Sequence, residues 1–444
     1  FQKNMKKKIL LIGISVILIC FISFWSIVSG GYDKQNKTIL FIKKIIPSHL
    51  ARKVRDTVFI IPSLKEKNRI LSLQVEKYEQ GLKGKLFNEE SIESASKKNF
   101  NIKKFFLPFP RLDINLGWAA TENSKRAHYL EIVNDKVLVI SGLGQTIYFQ
   151  KKNINQNELK QIEIKNNINN FLKDKKYELI GIRDLFFEDG YVYISLQHKD
   201  IKGFTINIYR AELNFENLIF KPFFITNEYW DEYNVFSGGR IEKYKDNKIL
   251  FSIGYSAVKS AAQREDSLLG KIVAIDKQSS QYELISIGHR NPQGLYYFKD
   301  SNIIINTEHG PKGGDEVNIN PQNFNEIPNY GWDIASYGSP YSGKDNLKKS
   351  HSKYGFVEPF KNYNPSIGIS EILYLAEKNS LYVSSLRAGS IYIIETNDEL
   401  NQIIKEDRIF FNEQRIRDIE YDQEFDVFFI LFELTPSIGI LSLN

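Results

Sequence analysis

With 444 residues, 42% of them hydrophobic and 25% charged, the chain holds enough apolar material for one large or two ordinary globular units, which excludes bulk disorder. Its net charge of +6 comes from 59 basic and 53 acidic residues interspersed along the sequence, and no basic stripe with interleaved aromatics appears, so nucleic acid is not an expected partner. The single cysteine, Cys20, excludes an intramolecular disulfide, while 31 Phe and 24 Tyr favour a body built of β-strands.

Met5, the only methionine, precedes Lys6, Lys7 and Lys8 and is read as the start, with residues 1–4 upstream of it. From Ile9 to Val28 the sequence carries no charge. That run of about 20 residues suits a helix rising about 1.5 Å per residue across a hydrocarbon core of about 30 Å. The three lysines before it place the N-terminus in the cytoplasm and everything after Gly30 outside. No A-x-A cleavage site follows, so a retained anchor in the cytoplasmic membrane is expected. The expected organisation is a basic cytoplasmic N-terminus (1–8), a transmembrane signal-anchor (9–29), an extracytoplasmic stalk (30–114) and a periplasmic or extracytoplasmic β-domain (115–444). Within the stalk, Leu64, Leu71 and Tyr78 recur every seven residues with Val75 and Leu82 beside them, which predicts a helix of about three heptads through which two chains could associate.

From Tyr129 onward one pattern recurs six times: an alternating apolar strand, a turn carrying Asp, Asn or a charged residue, and a second apolar strand ending in small or polar residues. The copies are Tyr129 to Gly142, Arg183 to Leu196, Gly239 to Gly254, Gln293 to Glu308, Ser370 to Leu386 and Arg417 to Phe432. Each interval leaves room for two more strands, and a four-stranded antiparallel sheet is a propeller blade. The fold class predicted is therefore all-β, a six-bladed β-propeller, with a β-helix or sandwich as the alternative. Copies two and six open with Arg-Asp, and the second strands lead into Gln197-His198, Glu308-His309 and Arg387, so polar groups converge at one channel mouth.

The stretch GHRNPQGLYYFKD, NTEHGPKGGDEVN and NYGW between Gly288 and Trp332 resembles the quinoprotein sugar dehydrogenases, the glucose/sorbosone dehydrogenase family. DSLLGKIVAID (Asp266 to Asp276), SLRAG (Ser385 to Gly389) and RIRD (Arg415 to Asp418) extend the resemblance over roughly residues 115–444. It implies a six-bladed propeller binding pyrroloquinoline quinone (PQQ), a tricarboxylated ortho-quinone, with a calcium ion at the channel mouth. Arg290, Arg387, Arg415 and Arg417 fall on positions that contact the quinone, as suits three carboxylates that pair with forked guanidiniums. Asn291 and Gln293 match the polar pair beside Arg290, and His309 a polar position near the quinone. The Gly310 and Pro311 carbonyls fall where two backbone calcium ligands are expected. Asp315 and Glu316 read equally as ion ligands or as caps of the Gly313-Gly314 turn, and Arg415 and Arg417 could pair with Asp418 or Glu420. His289, His198 and His128 read as structural, and Asn329 to Trp332 as a packed turn.

The pattern breaks where it matters for turnover. The family's catalytic histidine falls on Phe236 in Phe236-Ser237-Gly238-Gly239-Arg240-Ile241, and Tyr255 takes the place of an aspartate. A positioned base contributes typically about 10²- to 10⁴-fold, and a phenyl ring cannot accept a proton. His309 and Tyr255 are the candidate substitutes. Three readings stay open: a propeller binding PQQ or a similar anionic or sugar-like ligand with calcium, an active quinone-dependent oxidoreductase with a rearranged base, and a protein- or glycan-binding propeller with an inert channel.

Overall fold

A computed structural model describes Ser72, Glu79 and residues 84–109, 125–245, 247–341, 346–411 and 414–443. The expected membrane segment, residues 9–29, and the heptad positions Leu64, Leu71 and Tyr78 lie outside the described residues. Among the described residues, no helix is long and apolar enough to cross a membrane.

Six separate sheets arise from the six repeats, antiparallel except where the short strand Asn217–Leu218 pairs in parallel with Ile162–Asn166, and each repeat supplies the two innermost strands of one blade. The innermost strands, blade 1 to blade 6, are His128–Val133, Glu178–Glu188, Gly238–Tyr244, Pro292–Phe298, Ile369–Leu375 and Ile416–Asp422. The second strands are mostly buried, and in Val427–Phe432 all six residues are both apolar and buried. A strand with a neighbouring blade on each side has no solvent face, so strict alternation gives way to a continuous hydrophobic run. Six apolar clusters fill the six gaps between adjacent blades. One joins Leu250 and Ile272 of blade 3 to Leu295 and Ile304 of blade 4, and another joins Phe429 and Leu431 of blade 6 to Leu130 and Val137 of blade 1. Burial of such surface at roughly 25 cal/mol per Å² is what holds blade to blade.

The ring closes with strands from before the first repeat. Leu86–Glu93 and Asn99–Phe106 form a hairpin whose second strand pairs with Ser437–Ser442, so blade 6 is completed by the N-terminal side of the chain. Ile102 and Phe105 are fully buried there. Gly439 makes the close approach feasible, since a Cβ on it would stand 2.8 Å from both Ile102 Cδ1 and Phe432 Cε2. This corrects the expected stalk, residues 30–114: its last part, from about Lys85, is propeller. Closure of this kind pairs an edge that would otherwise be exposed.

One irregularity recurs at the axis. In blades 2, 3, 4, 5 and 6 the register between the two inner strands slips close to the channel mouth, at Ile182/Asp184, Gly238/Ile241, Pro292/Gly294, Ile369/Ile372 and Ile416/Asp418. A β-bulge re-aims the side chains around it. Here the slipped stretches hold Arg183, Gly239, Gln293, Ser370 and Arg417, followed by Asp184, Arg240, Gly294, Glu371 and Asp418.

Candidate functional site at the channel mouth

Below the mouth, Arg240 occupies the axis. Its guanidinium pairs with Asp184 at 2.6 Å, with Asp418 at 2.8 Å and with Glu371. Its Nε donates to the Gln293 carbonyl at 2.7 Å, and its charge lies 5.1 Å from the Tyr129 ring centroid. Tyr129, Asp184, Gln293, Glu371 and Asp418 come from blades 1, 2, 4, 5 and 6, so one side chain of blade 3 touches every other blade. Three carboxylates against one cation in a buried place cannot all stay ionised cheaply. Burial pushes Asp184 up to about 7 in spite of Arg240, and burial also pushes Glu371 well above the usual carboxylate range.

One layer higher, the bulge residues face the mouth. Arg417 Nη1 donates to Gln293 Oε1 at 2.9 Å, bridging blades 6 and 4, and Gln293 Nε2 donates to Asn291 Oδ1 at 3.2 Å. Arg183 Nε donates to Gln197 Oε1 at 3.0 Å. Gly239 lets Arg183 sit there: with φ of +124°, a Cβ on it would stand 2.4 Å from Arg183 Cβ.

Arg415 and Arg417 do not pair with Asp418 or Glu420. Both bind Glu433, Arg415 Nε at 2.9 Å and Arg417 Nε at 2.7 Å, with Arg126 Nε farther off at 3.7 Å. The Glu433 carboxylate has no exposed surface, and burial alone would raise its pKa, but Arg417, Arg415 and Arg126 hold it down to about 2. Asp418 and Glu420 point elsewhere because their positions on the inner strand face the axis, where Arg240 already claims Asp418.

On the opposite side of the mouth Arg290 is buried between aromatic rings. Its guanidinium carbon lies 4.4 Å from the Phe236 centroid and 5.2 Å from that of Trp332, within the range of cation–π attraction. Tyr255 stacks on Phe236 at 5.8 Å and meets Trp332 edge-on at 5.2 Å. Arg290 Nη1 donates to the His309 carbonyl at 2.8 Å, and its backbone N–H donates to Glu308. The expected residues Arg290, Asn291, Gln293 and His309 are therefore brought together, and Arg387 stands exposed on the rim of blade 5. Trp332, expected only in a packed turn, is a wall of the site.

The two acids suggested as metal ligands serve other groups. Asp315 accepts from the backbone N–H of Gly310 at 3.0 Å, Gly368 at 2.7 Å and Ile369 at 3.1 Å, tying the blade 4 loop to the start of blade 5. Glu316 is buried beside Glu308, with His351 Nε2 3.6 Å away, and burial followed by repulsion from Glu308 pushes its pKa well up. With Asp315 engaged by three backbone donors and Glu316 pushed towards its protonated form, neither carboxylate is poised to coordinate calcium. The Gly310–Gly314 loop is instead a tightly fixed backbone turn, with a Cβ on Gly310 colliding with the Gly314 carbonyl at 1.9 Å. The Pro311 carbonyl accepts from Ser366 Oγ at 3.1 Å and keeps a second lone pair. Two carbonyls at the lip can contribute to a cation site only if a bound ligand supplies further oxygens.

His289, His198 and His128 are structural, as expected. His289 is held by Ser286 Oγ at 2.7 Å and Glu308 at 3.3 Å, His198 by Asn207 and Tyr209, and His128 packs on Phe109. The larger open groove of the propeller, lined by Lys98, Tyr382 and Lys405, lies at the outer strands of blades 5 and 6 and gathers none of the mouth residues.

Comparison with known proteins agrees with this geometry. Residues 131–435 match the family model described as glucose / sorbosone dehydrogenase. An uncharacterized protein of Synechocystis is 28% identical over 269 residues, 54% of this chain and 64% of its own length. The aldose sugar dehydrogenase YliI of Escherichia coli is 30% identical over 203 residues, 41% of this chain and 53% of its own length. The matches thus span less than two thirds of these relatives. Among solved structures, the apo soluble aldose sugar dehydrogenase of Escherichia coli superposes with a TM-score of 0.59 at 20% identity, covering 80% of this chain and 99% of that one. The PQQ-bound aldose sugar dehydrogenase of Streptomyces coelicolor gives 0.54 at 19%, covering 74% and 96%. At that identity the structures establish the shared propeller. With the family model matched along more than half of its length, the chain belongs to the glucose/sorbosone dehydrogenase family.

Proposed function

We propose that this chain is a membrane-anchored, extracytoplasmic member of the family whose mouth binds PQQ or a similar polycarboxylate, and that ordinary aldose oxidation is greatly weakened. The observation that carries the reading is the placing of Arg290, Arg415 and Arg417 around one opening, with Arg387 on the rim. Buried or half-buried guanidiniums in such number need anionic partners, and Glu433 is one carboxylate only. Arg415 spends Nε on Glu433, and Arg417 spends Nε on Glu433 and Nη1 on Gln293, which leaves the remaining guanidinium N–H groups to a ligand. Bound there, PQQ would accept the hydride, with calcium at the Gly310 and Pro311 carbonyls polarising its carbonyl.

The weakened turnover rests on Phe236. Its ring shields Arg290 and carries no group able to take a hydroxyl proton. A second reading, an active oxidoreductase with a substitute base, is favoured by one contact: Tyr255 stacks directly on Phe236 and so borders the place a base would occupy. Dye-linked oxidation of a panel of aldoses by the chain loaded with PQQ and calcium separates the two. Negligible turnover with stoichiometric PQQ supports the first, and turnover abolished by Tyr255→Phe supports the second. Residues 9–29 supply the proposed anchor, and partition of the full chain into the membrane fraction, lost on deleting them, tests that part.

A further inference from the structure

In blade 3 the chain leaves the strand Lys248–Ile253 and returns at the strand Lys271–Asp276, and residues 254–270 between them form a loop at the mouth. Three non-glycine residues of that loop, Ser256, Ala257 and Ser260, have left-handed φ of +51°, +58° and +60°. Such residues hold that conformation only where the surrounding contacts impose it. The contact at the base of the loop is Lys271. Its side chain is fully buried, and Nζ donates to the carbonyls of Ala261 at 2.9 Å, Ala262 at 3.0 Å and Leu269 at 2.9 Å. All three ammonium protons are thereby used. Burial pulls the group down to about 8, which still leaves it charged at neutral pH. Glu228, the carboxylate that most favours this charge, accepts from the Leu268 N–H at 2.6 Å and from Ser267 Oγ at 3.2 Å, and so holds the end of the same loop.

From this ammonium a chain of hydrogen bonds runs to the mouth. The Ala262 carbonyl that accepts from Lys271 also accepts from the Gly288 N–H at 2.9 Å, and the Gly270 carbonyl accepts from the His289 N–H at 3.1 Å, which fixes the backbone leading into Arg290. Gly270 permits the approach, since a Cβ on it would stand 2.4 Å from Ala262 Cβ. Gln263 donates to the Trp332 carbonyl and to Asn329 Oδ1 at 3.2 Å. Where the loop begins, the Tyr255 N–H donates to the Arg290 carbonyl at 2.9 Å and the Ser256 N–H to the Phe236 carbonyl at 3.0 Å. Phe236 and Trp332 are thus bonded to the loop, and Tyr255 is part of it. An apolar side chain would fill the place of Lys271 without the desolvation an ammonium suffers, and what the ammonium adds is a hold on three carbonyls at once. We propose that Lys271 is a positioning residue of the mouth: through loop 254–270 it holds Phe236, Tyr255 and Trp332 about Arg290, and without its ammonium the loop opens and ligand is bound weakly. This rests on the proposed cofactor reading in taking PQQ as the ligand.

The test compares the full chain with Lys271→Met, which keeps an unbranched side chain and removes the donors, and with the same variant carrying Ala257→Gly, which relieves one left-handed residue. Tryptic cleavage after the exposed Lys259 and Arg264 reports on the loop, and calorimetric titration with PQQ and calcium reports on the mouth. In Lys271→Met, cleavage at those two bonds should quicken at least tenfold and PQQ affinity fall at least tenfold. Adding Ala257→Gly should recover at least threefold of each, a reversal that mere loss of packing would not give. Circular dichroism checks the fold, and Lys271→Gln, whose amide offers two protons, replaces Lys271→Met if that variant does not fold. A folded variant that binds PQQ within threefold of the native chain overturns the proposal. Cleavage spread over the whole chain, or failure of both variants to fold, overturns it too, since Lys271 would then serve the fold at large. If the native chain does not bind PQQ, the cofactor reading falls, and cleavage with its reversal by Ala257→Gly decides the role of Lys271 by itself.

Discussion

Arg240 of blade 3 and Asp184 of blade 2 meet at 2.6 Å on the propeller axis, and through the same guanidinium the other four blades are joined to them. Replacing Arg240 by Met would leave Asp184, Glu371 and Asp418 facing one another without a cation. Breaking a buried pair from one side costs about 3–5 kcal/mol. Urea unfolding of Arg240→Met is expected to show a loss of that size, with PQQ-independent baselines; a loss under 1 kcal/mol would mean that the blades close without this hub.

The same cluster sets a pH dependence. Asp184 keeps its proton to about 7 in the fold but loses it near 4 when the chain unfolds, so stability falls as pH rises through that interval. Glu433 acts with the opposite sign. Held at about 2 in the fold, it contributes stability above its unfolded pKa near 4 that is lost as pH falls towards 2. Chemical unfolding between pH 4 and 8 should therefore show decreasing stability with rising pH, and Asp184→Asn should flatten the slope.

Glu433→Gln removes the carboxylate that separates Arg415, Arg417 and Arg126. A destabilisation of about 3 kcal/mol is expected from uncompensated buried charge. Sulfate or phosphate at millimolar concentration should recover part of it by pairing with the guanidiniums that have lost their carboxylate. The melting temperature of this variant against sulfate concentration is the measurement, and the native chain should respond far less.

Phe236→His restores a proton acceptor where the family carries one. Its cost is the cation–π contact with the buried Arg290, about 2 kcal/mol for a desolvated cation. With PQQ and calcium supplied, dye-linked aldose oxidation should rise at least tenfold over the native chain, within the range a positioned base contributes. No rise would place the block elsewhere, in the walls made by Tyr255 and Trp332.

The propeller was legible in the sequence because one hairpin repeats six times, and each copy became the inner pair of a blade. The closing hairpin was not. Leu86–Glu93 reads as a mixed polar strand, with only Leu86 and Ile92 among its apolar positions turned inward, and its partner edge on Ser437–Ser442 lies at the far end of the chain. At the site, Arg290, Asn291, Gln293 and His309 were found through a motif, while Arg126 and Glu433 were missed because their meeting depends on ring closure between blades 6 and 1. Arg183 was within reach. Its Arg-Asp pair aligns with Arg417-Asp418 across repeats two and six, and that alignment predicts the shared bulge position. Trp332 was placed in a turn because nothing local reveals that the turn folds over Arg290.

The most direct test of the account is calorimetric titration of the purified full chain with PQQ, in the presence and absence of calcium, repeated on Arg290→Gln and Arg417→Gln. One-to-one binding strengthened by calcium and weakened at least tenfold by either substitution is the predicted result. Absence of binding at millimolar PQQ, or binding indifferent to both arginines, would contradict it and leave the mouth as a charged surface serving some other anion.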